Sequence, residues 1–330
     1  MKAAWFEQFG RAEDVLKTGE KERPVPGPGE VLIKMRTSGV NPSDTKKRDG
    51  AFQDLLDGGP VIPNSDGAGV IEEAGLGVPH SRIGERVWVY QAQFQRKHGT
   101  AAEYLAIDSK RAIRLPEHID FDIGACLGIP AMTAHRCVFA DGPVEGQVLF
   151  ITGGAGRVGN YAIQWAKLAG ATVISTASNS EAYHYCIEAG ADLVVDYKEE
   201  SMVQEILDFT GGARVDRVID VEFGANLPRV LELIRVGGVI ATYSSMLVPE
   251  PKLPFRQMMF MDLTVRMVIV YAMPEHAKQA AIQDITSALN ENRLIHRIAE
   301  TFPLERIADA NNLIEEGNQY GCAVIRLGEE

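Results

Sequence analysis

The feature that most constrains this chain is a glycine-rich turn between a predicted strand and a predicted helix. An apolar run over residues 148–152 enters the turn, where Gly154, Gly156 and Gly159 form the pattern G-x-G-x-x-G. In a dinucleotide-binding βαβ unit such glycines permit a tight turn, close approach of a pyrophosphate and close packing of helix on strand. The helix N-terminus adds unpaired N–H groups and a partial positive charge for the phosphates. The predicted cofactor-binding turn comprises Gly154, Ala155, Gly156, Arg157, Val158 and Gly159.

Strand and helix patterns alternate from about Asp122 onward. Strands are predicted over 148–152, 172–176, 193–196, 215–221, 238–243 and 264–270, with helices over 158–168, 180–189, 202–210 and 225–234 between them. A further helical run over 124–139 contains Pro130, which predicts a kink or break there. This alternation predicts an α/β fold with a doubly wound parallel sheet and right-handed crossovers.

The two ends of the chain have a different pattern. Residues 1–120 are rich in short apolar strands, including 31–35, 69–73 and 86–90, which predicts a compact β domain. A helix over 275–290 and short elements over 298–302, 307–315 and 323–327 are too few for a separate domain. We therefore predict a β-rich domain from residues 1–122 and 273–330, and a cofactor-binding domain from residues 123–272.

Composition excludes several classes of partner and compartment. The net charge of −12, without a basic block, argues against nucleic acid or an anionic membrane as partner. No apolar run has transmembrane length, and the N-terminus lacks the apolar core of a signal peptide. A cytoplasmic protein is expected. Its four cysteines, Cys126, Cys137, Cys186 and Cys322, are far apart and are predicted to be reduced and mostly in the core.

The end of the second strand of the alternating region distinguishes NAD from NADP. An NAD site places Asp or Glu there for the ribose 2′-hydroxyl. This strand ends instead near Ser178, and Glu181 falls inside the next helix. A small polar end leaves room for a 2′-phosphate and removes a repelling charge, so NADPH is predicted. Tyr197 and Lys198, after the third strand, are further candidates for this phosphate, although an ordinary exposed loop is the alternative.

Four motifs together resemble the medium-chain dehydrogenase/reductase superfamily, and best its zinc-free quinone oxidoreductase (zeta-crystallin-like) branch. They are GVNPSD at 39–44, NSDGAGV at 64–70, HGTAAEY at 98–104 and the glycine turn. The resemblance implies a Rossmann domain joined to a β-rich, GroES-like catalytic domain. It also implies a homodimer that pairs the last Rossmann strand, 264–270, at the sheet edge.

The resemblance also implies roles for single residues. Asn41 matches the active-site asparagine beside the nicotinamide, and Thr133 matches a threonine that contacts the cofactor. Ser178, Tyr197 and Lys198 match the 2′-phosphate site, and Ser244 and Ser245 lie where the fifth strand passes the cofactor.

Zinc-dependent relatives differ at two positions. They carry cysteine at Asn41-Pro42 and a His-Glu pair at Ser65-Asp66. Asp44 and Asp66 alone cannot supply the three ligands that catalytic zinc needs, so no metal is expected.

Three positions depart from the branch's pattern. Lys46 and Phe52 stand where quinone reductases of this branch often have tyrosine. Lys46 would favour an anionic substrate, unless it is only a solvated lysine in a basic run. Arg157 is a further departure, either near the pyrophosphate or facing solvent. Tyr90 is a candidate hydrogen-bond donor, with a packing tyrosine as the alternative.

The function predicted from these residues is NADPH-dependent, zinc-independent hydride transfer to quinones or similar electron-poor acceptors. Asn41 would donate its amide to the oxyanion that develops on the acceptor. One alternative is reduction of activated C=C bonds in an enone, enal, acrylate or unsaturated thioester. A second alternative is a non-catalytic NADPH-binding protein of the crystallin-like or RNA-binding kind.

Overall fold

The computed structural model describes residues 1–317 and 319–328 of the chain. Two compact units divide it: Met1–Ile129 with Ile282–Glu330, the first unit, and Pro130–Ala281, the second unit. The sequence placed these divisions after residues 122 and 272, some residues earlier in each case.

The helices and strands follow in chain order. The strands are β1 (Lys2–Trp5), β2 (Lys17–Glu20), β3 (Glu30–Val40), β4 (Asp66–Ala74), β5 (Arg86–Val89), β6 (Tyr104–Asp108), β7 (Ala112–Arg114), β8 (Val148–Ile151), β9 (Thr172–Ala177), β10 (Leu193–Asp196), β11 (Val215–Asp220), β12 (Ile234–Thr242), β13 (Thr264–Met267), β14 (Ile298–Pro303) and β15 (Cys322–Arg326). The α-helices are α1 (Ala12–Val15), α2 (Pro42–Arg48), α3 (Phe121–Gly124), α4 (Met132–Phe139), α5 (Arg157–Leu168), α6 (Ser180–Glu188), α7 (Met202–Phe209), α8 (Phe223–Leu233), α9 (Phe255–Phe260), α10 (Glu275–Asn290) and α11 (Ile307–Glu316).

The first unit is built on a sheet in the order β14-β15-β3-β4-β5-β7, with β6 also paired to β3. Its central strand β3 buries Val31, Ile33 and Met35, two residues apart, in the core of this unit. The alternation follows from the period of two in a strand. Near the end of β3, a Cβ added to Gly39 would lie 2.1 Å from the Ala125 carbonyl oxygen. Only glycine lets the backbones approach this closely, and β3 then leads directly into Asn41 and α2.

The second unit contains a six-stranded parallel sheet in the order β10-β9-β8-β11-β12-β13. The predicted doubly wound sheet is therefore confirmed. The chain order reverses between β8 and β11, and ligands of such sheets bind outside the carboxyl ends of the strands at this switch point. β13 forms one edge, and its Met267 is 72% exposed.

The helical run predicted over 124–139 is interrupted, as Pro130 suggested. α3 ends at Gly124, a single π-helical turn spans Leu127–Ala131, and α4 begins at Met132. Proline has no N–H to donate to the preceding turn, and π turns accommodate such a loss within a helix. Nowhere in the described chain is a helix both long and apolar enough to cross a membrane.

Candidate functional site

The glycine turn of the second unit connects β8 to α5. Its left-handed residue is Gly153, with φ of +64°, and not Gly154 as the G-x-G-x-x-G pattern suggested. A Cβ on Gly154 would lie 2.0 Å from the Ser175 hydroxyl oxygen and 2.7 Å from the Ile163 side chain. Gly154 is thus required because the turn packs closely against Ser175 and Ile163. The bend of the turn itself depends on Gly153, which takes the left-handed conformation.

Gly159 and Gly156 have different surroundings. A Cβ on Gly159 would lie 2.2 Å from the Gly153 carbonyl oxygen, so this glycine lets α5 pack against the turn. At Gly156 a Cβ would meet only the same oxygen, at 3.1 Å. Gly156 is the N-cap of α5 and has φ of −70°, and this glycine places no side chain over the start of the 12-residue helix. The open space at the helix N-terminus, with its partial positive charge, fits a pyrophosphate.

Two strand ends bring the predicted 2′-phosphate residues together. β9 and β10 pair in register, with Ala177 opposite Asp196, so Ser178 and Tyr197 follow neighbouring positions. Ser178 is half-buried, whereas Tyr197 and Lys198 are exposed. The Lys198 ammonium lies 5.9 Å from the centre of the Tyr197 ring.

Arg229 is a cation near this group that the sequence analysis missed. Its guanidinium donates a hydrogen bond to the Tyr197 carbonyl oxygen at 2.5 Å. It lies on α8, far from the glycine turn in sequence, so no local pattern pointed to it. Two cations, Lys198 and Arg229, therefore lie near the ends of these strands, and the residue after β9, Ser178, is not acidic.

The remaining predicted cofactor residues lie in two places in the second unit, α4 and the loop after β12. Thr133 is buried in α4. The Ser245 hydroxyl accepts a hydrogen bond from the Gly224 N–H at 2.9 Å and donates one to the Val248 carbonyl at 2.6 Å, so it holds the loop after β12. Ser244 and Ser245 line a cavity of about 420 Å³.

Tyr243, which the sequence analysis missed, lines the same cavity. Burial raises its phenol pKa well above the usual value, and the nearby Cys137 and Asp220 act in the same direction. The positive charge of Arg157 opposes them, which places the first residue of α5 electrostatically close to this phenol. Arg157 is half-buried, so it does not simply face solvent.

In the first unit, Asn41 is fixed by two carboxyl groups. Its backbone N–H donates to Asp44 Oδ2 at 3.0 Å and caps α2. Its side-chain Nδ2 donates to Asp66 Oδ2 at 2.9 Å, and that oxygen also accepts the Ile129 N–H at 2.7 Å. An amide nitrogen carries two hydrogens. The Asn41 side chain is also hydrogen-bonded to the Asp44 carboxyl, so two carboxyl groups hold this amide in place.

A buried lysine accompanies these carboxyl groups. Lys47 is 5% exposed, and its ammonium lies 3.4 Å from the Ser65 hydroxyl oxygen. Burial lowers the Lys47 pKa, and it raises the pKa of Asp44 and raises that of Asp66 well above its usual range. The opposite charges of the two carboxylates act against the lowering at Lys47. Asp44, Asp66 and Lys47 are thus held together away from water.

The neighbouring lysine, Lys46, which was predicted from the sequence as the substrate-facing residue, lies on the exposed side of α2. Tyr90 is 3% exposed, and its ring centre lies 6.0 Å from that of Trp88. The sequence does contain a pattern that points to Lys47. It lies three residues after Asp44, a spacing that puts two side chains on one helix face.

A cavity of about 400 Å³ lies beside Lys47 and is also lined by Phe52 and Phe94. Two residues of the adjoining loop, Gln91 and Gln95, have left-handed φ values of 53° and 57°. Backbone strain of this kind in non-glycine residues is concentrated at functional sites. The cavity combines aromatic walls with one buried ammonium.

The donor set around Asn41 does not resemble that of a zinc site. Asn41 and Ser65 offer an amide and a hydroxyl, and the parts of the chain that are described contain no group of three or more His, Cys, Asp or Glu side chains able to hold a metal ion. Zinc prefers thiolate, imidazole and carboxylate ligands.

The buried carboxyl of Asp66 predicts a particular pH dependence of stability. Its raised pKa means that the folded protein holds a proton that the unfolded chain releases, so stability falls as pH rises from about 4 through the folded pKa. Asp66→Asn keeps an oxygen for the Asn41 and Ile129 donors without a titrating group. Between pH 5 and pH 8 we expect the melting temperature of the variant to rise relative to that of wild type. The rise should be about 2–4 °C for each kcal/mol of stability that wild type loses over this range.

Thermal unfolding followed by circular dichroism at several pH values measures this difference. The matched control is Asp49→Asn, an exposed aspartate at the end of α2, which is expected to follow wild type across the range. A deficit for Asp66→Asn that is equal at pH 5 and pH 8 would contradict the prediction.

Known proteins resemble this chain along its whole length. Residues 27–117 match the model of the alcohol dehydrogenase GroES-like domain, and residues 158–287 match that of the zinc-binding dehydrogenases. The quinone oxidoreductase of Homo sapiens is 29% identical over 331 aligned residues, which cover 99% of this chain and 98% of that protein. A trans-enoyl reductase of Aspergillus terreus is 31% identical over 58% of this chain and 68% of its own length.

Solved structures show the same fold. The Escherichia coli quinone oxidoreductase, solved in complex with NADPH, superimposes with a TM-score of 0.87 at 23% identity, over 99% of this chain and all of that one. The resemblance read from the motifs is therefore confirmed. The chain is an oxidoreductase that belongs to the medium-chain dehydrogenase/reductase superfamily, in its quinone oxidoreductase branch.

Proposed function

We propose that this oxidoreductase uses NADPH, without zinc, to transfer hydride to quinones or similar electron-poor acceptors. The proposal rests mainly on the open N-terminus of α5 at Gly156, which follows β8. The neighbouring strand β9 is followed by Ser178, without the acidic side chain that an NAD site places there. NADPH, when bound, supplies the hydride and its two electrons. The NADPH complex of the Escherichia coli quinone oxidoreductase supports this choice of cofactor.

The residues of the second unit suit the cofactor's charges. The N–H groups at the start of α5 would bind the pyrophosphate. Ser178 would hydrogen-bond the 2′-phosphate, while Lys198 and Arg229 would neutralise part of its charge. A carboxylate at position 178 would repel this phosphate, and none is present.

The residues of the first unit suit an acceptor that develops negative charge. The Asn41 amide would stabilise an oxyanion by donating a hydrogen bond to it, and Asp66 holds the amide in one orientation. Phe52 and Phe94 would provide apolar walls for a planar acceptor. The amide and hydroxyl donors at Asn41 and Ser65 support a reaction that needs no metal.

The test of this proposal is NADPH oxidation followed at 340 nm across a panel of quinones, enones and acrylates, with NADH in parallel. We expect quinone-dependent oxidation of NADPH that exceeds oxidation of NADH and persists after chelation, in protein that contains no stoichiometric zinc by elemental analysis. Activity with NADH alone, or zinc whose removal abolishes activity, would refute it.

A second candidate function is reduction of activated C=C bonds. The buried Lys47 beside the cavity favours it, because carbon accepts protons slowly without a positioned acid. The likeness to the trans-enoyl reductase of Aspergillus terreus gives it further support.

We also propose a homodimer formed through β13. This edge strand leaves Met267 72% exposed, and Ile269 just beyond it is 54% exposed. α9 precedes the strand and exposes Phe255 and Phe260 at 72% and 70%. An open edge with apolar neighbours tends to be paired. Light scattering coupled to gel filtration at micromolar concentration should give twice the chain mass of 36.1 kDa, and a monomer mass would count against the pairing.

A further inference from the structure

Lys47 is a buried charged residue of the first unit to which neither the fold nor the family resemblance assigned a role. It lines the cavity of about 400 Å³, yet only 5% of its surface is exposed. Burying an ammonium costs free energy, and an apolar side chain at this position would avoid that cost. A buried lysine that lines a cavity is therefore a candidate for a chemical role there.

The surroundings of Lys47 form a path for protons. Its ammonium lies 3.4 Å from the Ser65 hydroxyl, and that hydroxyl also hydrogen-bonds the buried Asp44 carboxyl. Asp66 adds a second buried carboxyl close by. These four groups can exchange one proton among them without bringing a net charge into the interior.

The charges that face Lys47 from other elements are balanced. Asp44 lies on its own helix and Asp66 on β4. The cavity is also lined by two acidic residues, Asp54 and Asp57, and by two basic residues, Arg96 and Lys97. The field at the ammonium is therefore dominated by the two buried carboxyls, and no large net charge lies on the facing wall.

We infer that Lys47 is the proton donor for a substrate held in this cavity, and that the substrates it serves are alkenes conjugated to a carbonyl group. The inference deepens the proposed function and rests on it. After hydride adds to the β-carbon, the C=C electron pair becomes an enolate. The Lys47 ammonium then gives one proton to the α-carbon, which forms the new C–H bond and leaves a neutral amine.

The proton balance closes through the same side chains. Ser65 passes a proton from Asp44 to the amine, and water restores Asp44. One hydride, which carries two electrons, leaves NADPH, and one proton comes from solvent through Lys47. Quinones differ, because the oxygens of a reduced quinone are protonated by water without help. A positioned acid at carbon contributes about a hundredfold or more to rate.

The reverse proton transfer provides a test that needs no cofactor. In D₂O the neutral amine of Lys47 should remove an α-proton from a saturated ketone such as cyclohexanone, and ¹H NMR then shows loss of the α-proton signal. We expect exchange above the buffer rate that rises with pH, whereas enone reduction with NADPH falls as pH rises, because the two directions need opposite protonation states.

Three variants complete the experiment. Lys47→Met and Lys47→Arg should lower both exchange and enone kcat by about a hundredfold, and should lower quinone kcat much less. Lys34→Met, an exposed lysine on β3, should match wild type with both substrates. If Lys47→Met does not fold, Ser65→Ala serves instead, with an expected loss of about tenfold in enone kcat and a smaller loss with quinones.

The outcomes separate the two proposals. Wild-type exchange without any NADPH-dependent reduction would support Lys47 as a proton-transfer residue and overturn the proposed function. Reduction of both enones and quinones that survives in Lys47→Arg and Ser65→Ala would overturn the role of Lys47 and leave the proposed function standing.

Discussion

Replacing Gly156 with alanine is expected to raise the Kd for NADPH by about ten- to a hundredfold, or roughly 1.4–2.7 kcal/mol, with little change in melting temperature. A Cβ here would contact only the Gly153 carbonyl oxygen, at 3.1 Å, and the φ of −70° suits alanine. The added methyl would instead fill the space that a pyrophosphate needs at the N-terminus of α5. Isothermal titration calorimetry gives the Kd, and thermal unfolding gives the stability.

Gly159→Ala is the contrasting variant, because its Cβ would lie 2.2 Å from the Gly153 carbonyl oxygen and within 3.0 Å of other turn backbone. We expect this variant to lose both cofactor binding and stability, with a ΔΔG of unfolding above about 2 kcal/mol. If Gly156→Ala bound NADPH as tightly as wild type, the pyrophosphate would have to bind elsewhere.

The order of elements in the second unit could be predicted because it follows from local patterns. Short β-branched runs separated by amphipathic helices admit one common architecture, and the strand order β10-β9-β8-β11-β12-β13 is that architecture. Exact ends could not be predicted. Whether the chain after Gly124 continues as an α-helix depends on how the π turn around Pro130 is packed, which is a property of the folded unit.

The turn shows the same limit at a finer scale. The spacing of Gly154, Gly156 and Gly159 predicted a turn between a strand and a helix, and the structure has that turn between β8 and α5, but the left-handed residue lies one position earlier. Sequence spacing carries no φ value, and Gly153 takes the left-handed conformation. The packing role of Gly154 depends on Ser175 and Ile163, which other elements bring to it.

The site of the first unit was predicted only in part. Asn41 was singled out by resemblance, and the structure adds the Asp66 carboxyl that orients it. The choice between Lys46 and Lys47 needs the rotational setting of α2, which the capping of its first turn by Asn41 determines. Arg229 and Tyr243 come from distant strands and helices, so only the folded sheet brings them near the predicted residues. The catalytic and binding roles given to these residues remain predictions.

Replacing Ser178 with aspartate is expected to reduce kcat/KM for NADPH by about a hundredfold, or about 2.7 kcal/mol, and to change that for NADH far less. Ser178 follows β9 and is half-buried. A carboxylate there would face the 2′-phosphate, and two like charges about 4 Å apart repel by roughly 1 kcal/mol in water and about 4 kcal/mol in a partly buried setting. The same carboxylate would accept a hydrogen bond from the ribose hydroxyl of NADH.

Ser178→Ala is the matched control, since it removes one hydrogen bond worth about 0.5–1.5 kcal/mol without adding charge. Arg229→Gln tests the opposite side of the same pocket and should weaken NADPH but not NADH, because its guanidinium lies against the Tyr197 backbone. Steady-state kinetics with both cofactors and one quinone measure all three variants. If Ser178→Asp lowered kcat/KM equally for NADPH and NADH, the strand end at Ser178 would not contact the 2′-phosphate, and the cofactor preference would have to arise from Lys198 and Arg229 alone.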